Sequence, residues 1–389
     1  EALRVAHETS QFIATTDRHY DDSYGKTGAK IGSTLRVRKP NQYSRTQGSR
    51  VMDVQDQDER TSPIVVAIQD HVDMRFNSRE LSLDLDNFTK LHLEPAMATL
   101  VSGIDGDVLV GCSKLVWNVA GTAGTAISTL ATPGAARAKL NQNLAPKDKN
   151  RFIQMDSIRM GGLVAGVAPY FNPSGAISEQ YREGLVARTS MADYYENERV
   201  WSLTNPADVA GFMSTYTIID GDTDLNVCSC GAATTGIVFT IAGVYDCHPE
   251  TKQAYTNLKQ MVSLAGTTST NLSTYPIYIT GAKKNVCNAD GTNLTVASVT
   301  SAAVTFVGGA SSTYSQSLMY HKDAFTFVTA ELPLMGGADK CVRKTYDGLS
   351  LRVWQDADIR NDELLTRIDI LYVFAAIRPA WACRMIGDF

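Results

Sequence analysis

The chain has 389 residues, 44% apolar and 20% charged, with a formal net charge of −5. That composition excludes a disordered or low-complexity chain and leaves room for two or three packed units. Mild acidity without any Lys/Arg block argues against tight, sequence-independent binding to nucleic acid, although a wall that merely surrounds nucleic acid should avoid sticking to it.

Residues 1–29 read as an N-terminal arm. Leu3, Ala6, Ser10 and Ile13 follow helical spacing before the segment turns polar through Asp17–Asp22. So thin an apolar stripe is mobile unless something packs on it. Residues 30–80 read as an extended β-hairpin arm. Ile31, Leu35 and Val37 share one parity. Ile64, Val66, Ile68, Val72, Met74 and Phe76 share another, with Asp70 as the exception. Alternation of this kind marks strands with one buried face. Between the strands runs Lys39–Ser62, a long polar connection whose apolar side chains are Tyr43, Val51, Met52 and Val54. Ordering its backbone costs more than burying four side chains returns. It is therefore either a mobile surface loop or an arm held by a surface outside itself. The second reading makes Arg45, Arg50, Asp53, Asp56, Asp58, Glu59 and Arg60 candidates for ion pairs with a neighbouring copy.

Residues 81–116 hold a spine helix. Asp84 or Asp86 caps a short helix near Phe88, and Pro95 then opens a longer one through Leu115. Met97, Val101, Ile104, Val108 and Cys112 form its apolar face, which calls for a sheet beside it. Residues 117–206 alternate helix and strand: a helix from Thr132-Pro133 to Leu140, a strand Phe152–Met155, a helix Ile158–Val167 capped by Ser157, and a turn at Asn172–Gly175. Residues 207–318 change character, with eleven charged residues and no arginine. Short β-like pieces at 215–219, 237–241, 259–264, 277–279, 294–299 and 304–307 suggest an inserted all-β barrel or sandwich. Residues 319–389 return to the mixed fold. Phe325 and Phe327, Leu349–Val353 and the almost continuous apolar run Ile368–Ile377 are its strands, the last covered on both faces.

The search for chemistry finds little. Asp220-Gly-Asp222-Thr-Asp224-Leu-Asn226 has the carboxylate spacing of a calcium loop, but Leu225 stands where the glycine belongs and no glutamate closes it, so a polar hairpin turn is preferred. Cys228, Cys230, Cys247, His248 and Cys287 are read as small buried residues in preference to zinc ligands or a late disulfide. Seven scattered cysteines fit reduced thiols. Gly161-Gly162 and Gly308-Gly309 read as close-packing or turn glycines. There is no P-loop, His-Glu-x-x-His or Gly-x-Ser-x-Gly, so neither a catalytic residue nor a cofactor is expected. No signal peptide is recognised, and the run Ile370–Ile377 is too short to span a bilayer.

Several stretches, in this order, resemble the tailed-phage major capsid protein family, and within it the podophage coat-protein branch with an inserted β-barrel. These are Tyr20–Asp22 with Lys26–Leu35, Leu93–Ala98, Phe171–Ser178 with Gln180–Gly184, Phe239–Val244, His321–Phe325, Tyr346–Arg352 and Arg378–Ala382. The resemblance implies an α+β tailed-phage major capsid fold. Its parts are an N-terminal arm, an extended β-arm, a peripheral domain with a long spine helix and β-sheet, an axial α/β domain and an inserted all-β domain. It also implies a structural protein of the virion, assembled in the host cytoplasm as hexamers and pentamers. Scaffolding protein and portal take part in assembly, double-stranded DNA is enclosed without sequence-specific binding, and a decoration protein joins the shell. An encapsulin-like compartment is the alternative, and a β-rich surface adhesin is a weaker one.

Overall fold

A computed structural model describes residues 10–18, 34–48, 52, 54–55, 60–77, 92–167, 188–213, 218–228, 233–266, 271–295, 301–337, 339–346 and 349–387. The chain divides into two compact units. One holds Glu1–Arg38, Thr61–Leu109 and Phe325–Ile377, and the other Lys39–Arg60, Val110–Ala324 and Arg378–Phe389.

The first unit is organised on the strand Glu363–Ala376. It pairs with Ile68–Asn77 over Glu363–Tyr372, with Leu349–Asp358 over Glu363–Ile370, and with Phe325–Ala330 over Leu371–Ala376. Lys340–Tyr346 completes an antiparallel five-stranded sheet beside Leu349–Asp358. The helix Glu94–Lys114 begins in this unit. Its apolar stripe is buried as its spacing requires, with Met97, Val101, Ile104, Val108 and Cys112 at most 7% exposed. Leu100, Val101 and Ile104 meet Phe327, Leu349, Leu351 and Ile370 of the sheet around a gap of only about 20 Å³. By length and composition this helix is apolar enough to cross a membrane. Its buried stripe and its fully buried Asp105 mark it as a core helix instead.

Asp105 Oδ1 accepts the backbone N–H groups of Phe12 and Ile13, each at 3.0 Å. It thereby satisfies the orphan donors at the start of the short helix Phe12–Thr15. That contact and the buried Phe12 and Ile13 supply the packing the lead-in requires.

The second arm strand differs from the sequence expectation. Alternation continues from Ile64 to Phe76, which predicts one strand. The structure interrupts it at Val66–Ala67: Arg60–Val65 pairs with Thr34–Lys39 as a two-stranded ribbon, while Ile68–Asn77 joins the five-stranded sheet. A full ladder with Glu363–Tyr372 satisfies more backbone groups than a ribbon can. Asp70, the exception to the apolar parity, accepts the Tyr372 hydroxyl at 2.9 Å.

In the second unit a six-stranded sheet runs Val119–Ala120, Ala382–Ile386, Thr313–His321, Arg151–Met155 and Asp193–Glu196, with Ser202–Thr204 also paired to Thr313–His321. The helices Ala131–Gln142 and Ser157–Val167 supply Ala136, Leu140, Met160 and Leu163 to its core with Ile153, Met319 and Met385.

Residues 210–306 form a seven-stranded sheet ordered Ala254–Val262, Val238–Cys247, Ala303–Phe306, Ala210–Met213, Asp222–Cys228 and Asn271–Ile277, with Val286–Cys287 beside Val238–Cys247. Beyond its two end strands, the Leu264 N–H reaches Ser273 O at 2.9 Å, so the sheet curls toward closure. Phe239, Ile241, Leu225, Val227, Leu272 and Val304 fill it.

The polar turn expected over Asp220–Asn226 is present at Asp220–Gly221, but the chain then continues as Asp222–Cys228. It is a strand in which Leu225 and Val227 are fully buried while Asp222, Asp224 and Asn226 alternate with them. The acidic spacing is therefore the period of the pleat, not that of a cation loop. Gly161 has nothing within 4 Å of where a Cβ would stand, so it is not a close-packing glycine. Gly308, at φ +105° against Tyr314 and Asn205, is a turn glycine.

Candidate functional site

The arm is rooted by apolar packing in the first unit. Val37 and Ile64, 1% and 2% exposed, pack with Ile377, and Val66 packs with Val328 and Leu371. Arg36 and Arg38, of opposite parity, are exposed, so a one-residue slip would bury them.

The ladder stops at Lys39 and Arg60. Five residues further out on each side, the carboxamide of Gln55 replaces a backbone pair: Ser44 N–H donates to Oε1 at 2.8 Å, and Nε2 donates to Ser44 O at 2.6 Å. This ties the two sides of the loop together through one side chain and one backbone position. Among the described residues the apolar groups beyond the ladder are not buried: Tyr43 is 57% exposed, Met52 87% and Val54 76%. The arm thus has a buried root and an uncovered outer part, a combination that marks interaction surfaces.

Of the predicted ion-pairing residues, Arg45 is exposed on this outer part and Arg60 is half-buried where the ribbon ends. Arg50, Asp53, Asp56, Asp58 and Glu59 lie outside the described residues. Arg60 sits close enough to Lys39 that, after burial, its charge is the next cause lowering the Lys39 pKa, with Arg378 contributing less. Sequence reasoning passed over Lys39, Lys252 and Lys283 near the foot of the arm. They come from three separate stretches, and no local spacing announces that each lies near Arg60.

Among the described residues no group of three or more His, Cys, Asp or Glu side chains could hold a metal ion. Cys247 and Cys287 are buried free thiols on paired strands. Burial pushes the Cys287 thiol up to about 11 and raises Cys247 as well, which leaves both protonated and unreactive. Cys230 of the same predicted cluster lies outside the described residues. The Asp356–Asp362 stretch is a strand end followed by a turn, in which Asp358 accepts Arg360 N–H at 2.9 Å and the Asn361 amide at 2.8 Å. Its carboxylates serve the turn.

Residues 215–387, a little under half of the chain, match the family model described as P22 coat protein - gene protein 5. No curated protein matches the sequence. Similar solved structures include a chain from Mycobacterium phage Che8, at 9% identity over 97% of this chain and 90% of that one, with a TM-score of 0.46. Another is the mature capsid of bacteriophage PhiM1, at 11% identity, 97% and 86% coverage and a TM-score of 0.46. A third is the capsid of the cyanophage P-SCSP1u, at 10% identity, 93% and 84% coverage and a TM-score of 0.44. Identities and scores this low carry no argument, and the likeness to a coat protein rests on the family match over residues 215–387.

Residues 215–387 of the chain are thus similar to a phage coat protein family.

Proposed function

We propose that copies of this chain assemble as hexamers and pentamers into an icosahedral shell around a double-stranded DNA genome, with no catalytic role. A precursor shell forms in the host cytoplasm with a scaffolding protein and a portal, DNA is packaged, and a decoration protein joins the surface. Residues 1–29 and 30–80 act as arms toward neighbours. Residues 81–116 and part of 319–389 form a peripheral domain, 117–206 an axial domain, and 207–318 an inserted brace. Head-to-tail contacts of one arm on the next subunit close naturally into rings. Many weak contacts of this kind add up to a stable shell.

The observation that carries the reading is the arm whose root is buried while Tyr43, Met52 and Val54 stand exposed. An isolated monomer gains nothing from that arrangement. In this reading Arg45, Arg50, Asp53, Asp56, Asp58, Glu59 and Arg60 make polar, register-setting contacts with the adjacent copy.

Electron microscopy of the expressed protein with its scaffold should show closed shells, and packaged particles should contain DNA rather than enzyme cargo. The double variant R50E/R60E should remain soluble and fail to form them. A wild-type chain that stays monomeric at high concentration, with its arm already protease-resistant, would overturn the proposal. Shells of normal shape from R50E/R60E would remove the ion-pair part of it.

A further inference from the structure

His321 ends the strand Thr313–His321 and is only 2% exposed. Its two ring nitrogens have different kinds of partner. Nε2 lies 3.0 Å from Asp148 Oδ1, while Nδ1 lies 3.2 Å from the backbone nitrogen of Asp323, in the turn Lys322–Ala324. A carboxylate accepts and an amide N–H donates. The arrangement is therefore that of the neutral ring, with its proton on Nε2 and with Nδ1 accepting.

The groups around the ring give its two nitrogens unequal freedom. On the Nε2 side, burial pushes the Asp148 carboxyl up, but the N–H and carboxamide of Asn150 and the charge of His321 outweigh that and hold it below the ordinary carboxylate range. Asp148 thus remains an acceptor throughout the range in which imidazoles titrate. On the Nδ1 side stands a second carboxylate: Asp323 Oδ2 is 3.7 Å away, too far for a hydrogen bond, and the side chain is 54% exposed and has room to turn. The cations nearby are engaged elsewhere or point along other elements. Arg151, opposite His321 in the ladder, donates to Pro146 O, Ala145 O and Asn141 Oδ1. Lys322 follows His321 in sequence. The Arg378 guanidinium lies 4.3 Å over the Trp381 ring, whose plane meets His321 at 85°.

We propose that His321 is a proton-operated switch for the turn Lys322–Ala324. One proton from solvent bonds to Nδ1, which then has no lone pair for the Asp323 N–H. The amide loses its acceptor, the new Nδ1–H donates to the Asp323 carboxylate, and the Nε2–H bond to Asp148 persists as the pivot. Both states satisfy the ring, and they differ in whether it holds the backbone or the side chain of Asp323. All of these residues lie within the second unit, and Ala324 is the last of its residues before the chain enters the first. Ala324 O accepts the N–H of Arg378, where the chain returns, at 3.1 Å. The proposal does not depend on the shell-forming role.

The test is nuclear magnetic resonance of the unassembled full-length chain, labelled with ¹⁵N, between pH 8 and pH 5, with His321→Gln assigning the ring signals. The neutral ring should show Nε2 protonated and Nδ1 bare. Protection of the Asp323 amide, corrected for the intrinsic exchange rate, should be present while the ring is neutral. It should fall by about three- to tenfold as pH drops through the ring's titration, the worth of one ordinary hydrogen bond. Asp323→Asn, on an exposed side chain, keeps the amide and removes the acid-state acceptor, so it should move both titrations together to lower pH. A neutral ring protonated on Nδ1, a ring that stays neutral down to pH 5, or an Asp323 amide whose protection ignores the ring's titration would overturn the proposal. Unchanged midpoints in Asp323→Asn would overturn the part given to its carboxylate.

Discussion

Asp369 is fully buried and meets Arg352, 4% exposed, through two hydrogen bonds, one of them from Nε at 3.0 Å. Gln69 Nε2 also donates to it at 3.0 Å, and Arg352 reaches Pro333 O at 2.7 Å. A buried pair of this kind is expensive to break and cheap to replace as a whole. Asp369→Ala should therefore cost about 3–5 kcal/mol in urea unfolding, and the apolar double variant R352M/D369L should cost less than either single one. A cycle with additive losses would show that the pair is not coupled. Arg384 has a different solution. It is fully buried, burial pushes its pKa down to about 9, and its partners are the carbonyls of Gly236 and Val116 at 2.7 and 2.6 Å. Glycines separate on similar grounds. A Cβ on Gly166 would stand 1.6 Å from Ser128 O, whereas one on Gly161 meets nothing within 4 Å. G166A should lower the unfolding free energy by on the order of 1–3 kcal/mol or more. G161A should raise it slightly, because alanine is the better helix former. Thermal melts of the two variants check the order.

At the scale of elements, helix ends are held by side chains distant in sequence. Ser157 opens the helix Ser157–Val167, and its N–H donates to Glu198 Oε1 at 3.0 Å while its hydroxyl donates to the same oxygen. These two bonds hold the Glu198 carboxyl below the usual carboxylate range, the hydroxyl bond being the larger cause. The folded-state pKa is depressed, so the contribution is fully present above the unfolded value of about 4.3 and lost as pH falls through the folded one. E198Q should flatten that part of the acid limb, read as hydrogen exchange at the first amides of the helix between acidic and neutral pH. A similar slope in the wild type and E198Q would refute it. The sequence makes Ser157 the cap, but it is the first helical residue and Glu198 caps it, and a residue 41 positions away leaves no local signature. The Asp222–Cys228 strand makes the same point in reverse. Acidic residues at every second position describe a calcium loop, a turn and the exposed face of a strand equally well. Only the burial of Leu225 and Val227 against Leu272 and Phe239 separates them.

For the whole molecule, the curled sheet of residues 210–306 has its own core, and its entry and exit meet at the base. Ser202–Thr204 pairs with Thr313–Ser315, and the Thr204 and Thr313 hydroxyls lie 2.8 Å apart. Adjacent ends let an insertion close without straining its host. A fragment spanning 202–315 should therefore fold alone, giving dispersed amide resonances and a cooperative melt. A collapsed or unfolded fragment would mean that outside contacts such as Gln260 with Val119 and Arg384 with Gly236 are required. Much of the architecture is legible in the sequence because it is local. Alternation in Val37, Ile64 and Val66, the stripe from Met97 to Cys112 and the fall in charge after residue 207 each reflect which faces a segment must bury. The tertiary structure decided what periodicity cannot carry: that the strand predicted through Phe76 divides between a ribbon and a sheet built from the C-terminal residues, and that Arg60 comes to act on both Lys39 and Lys252. Burial pattern is written within a few residues, whereas the choice of partner is a competition among segments hundreds of residues apart, settled only when their backbone ladders and charges meet.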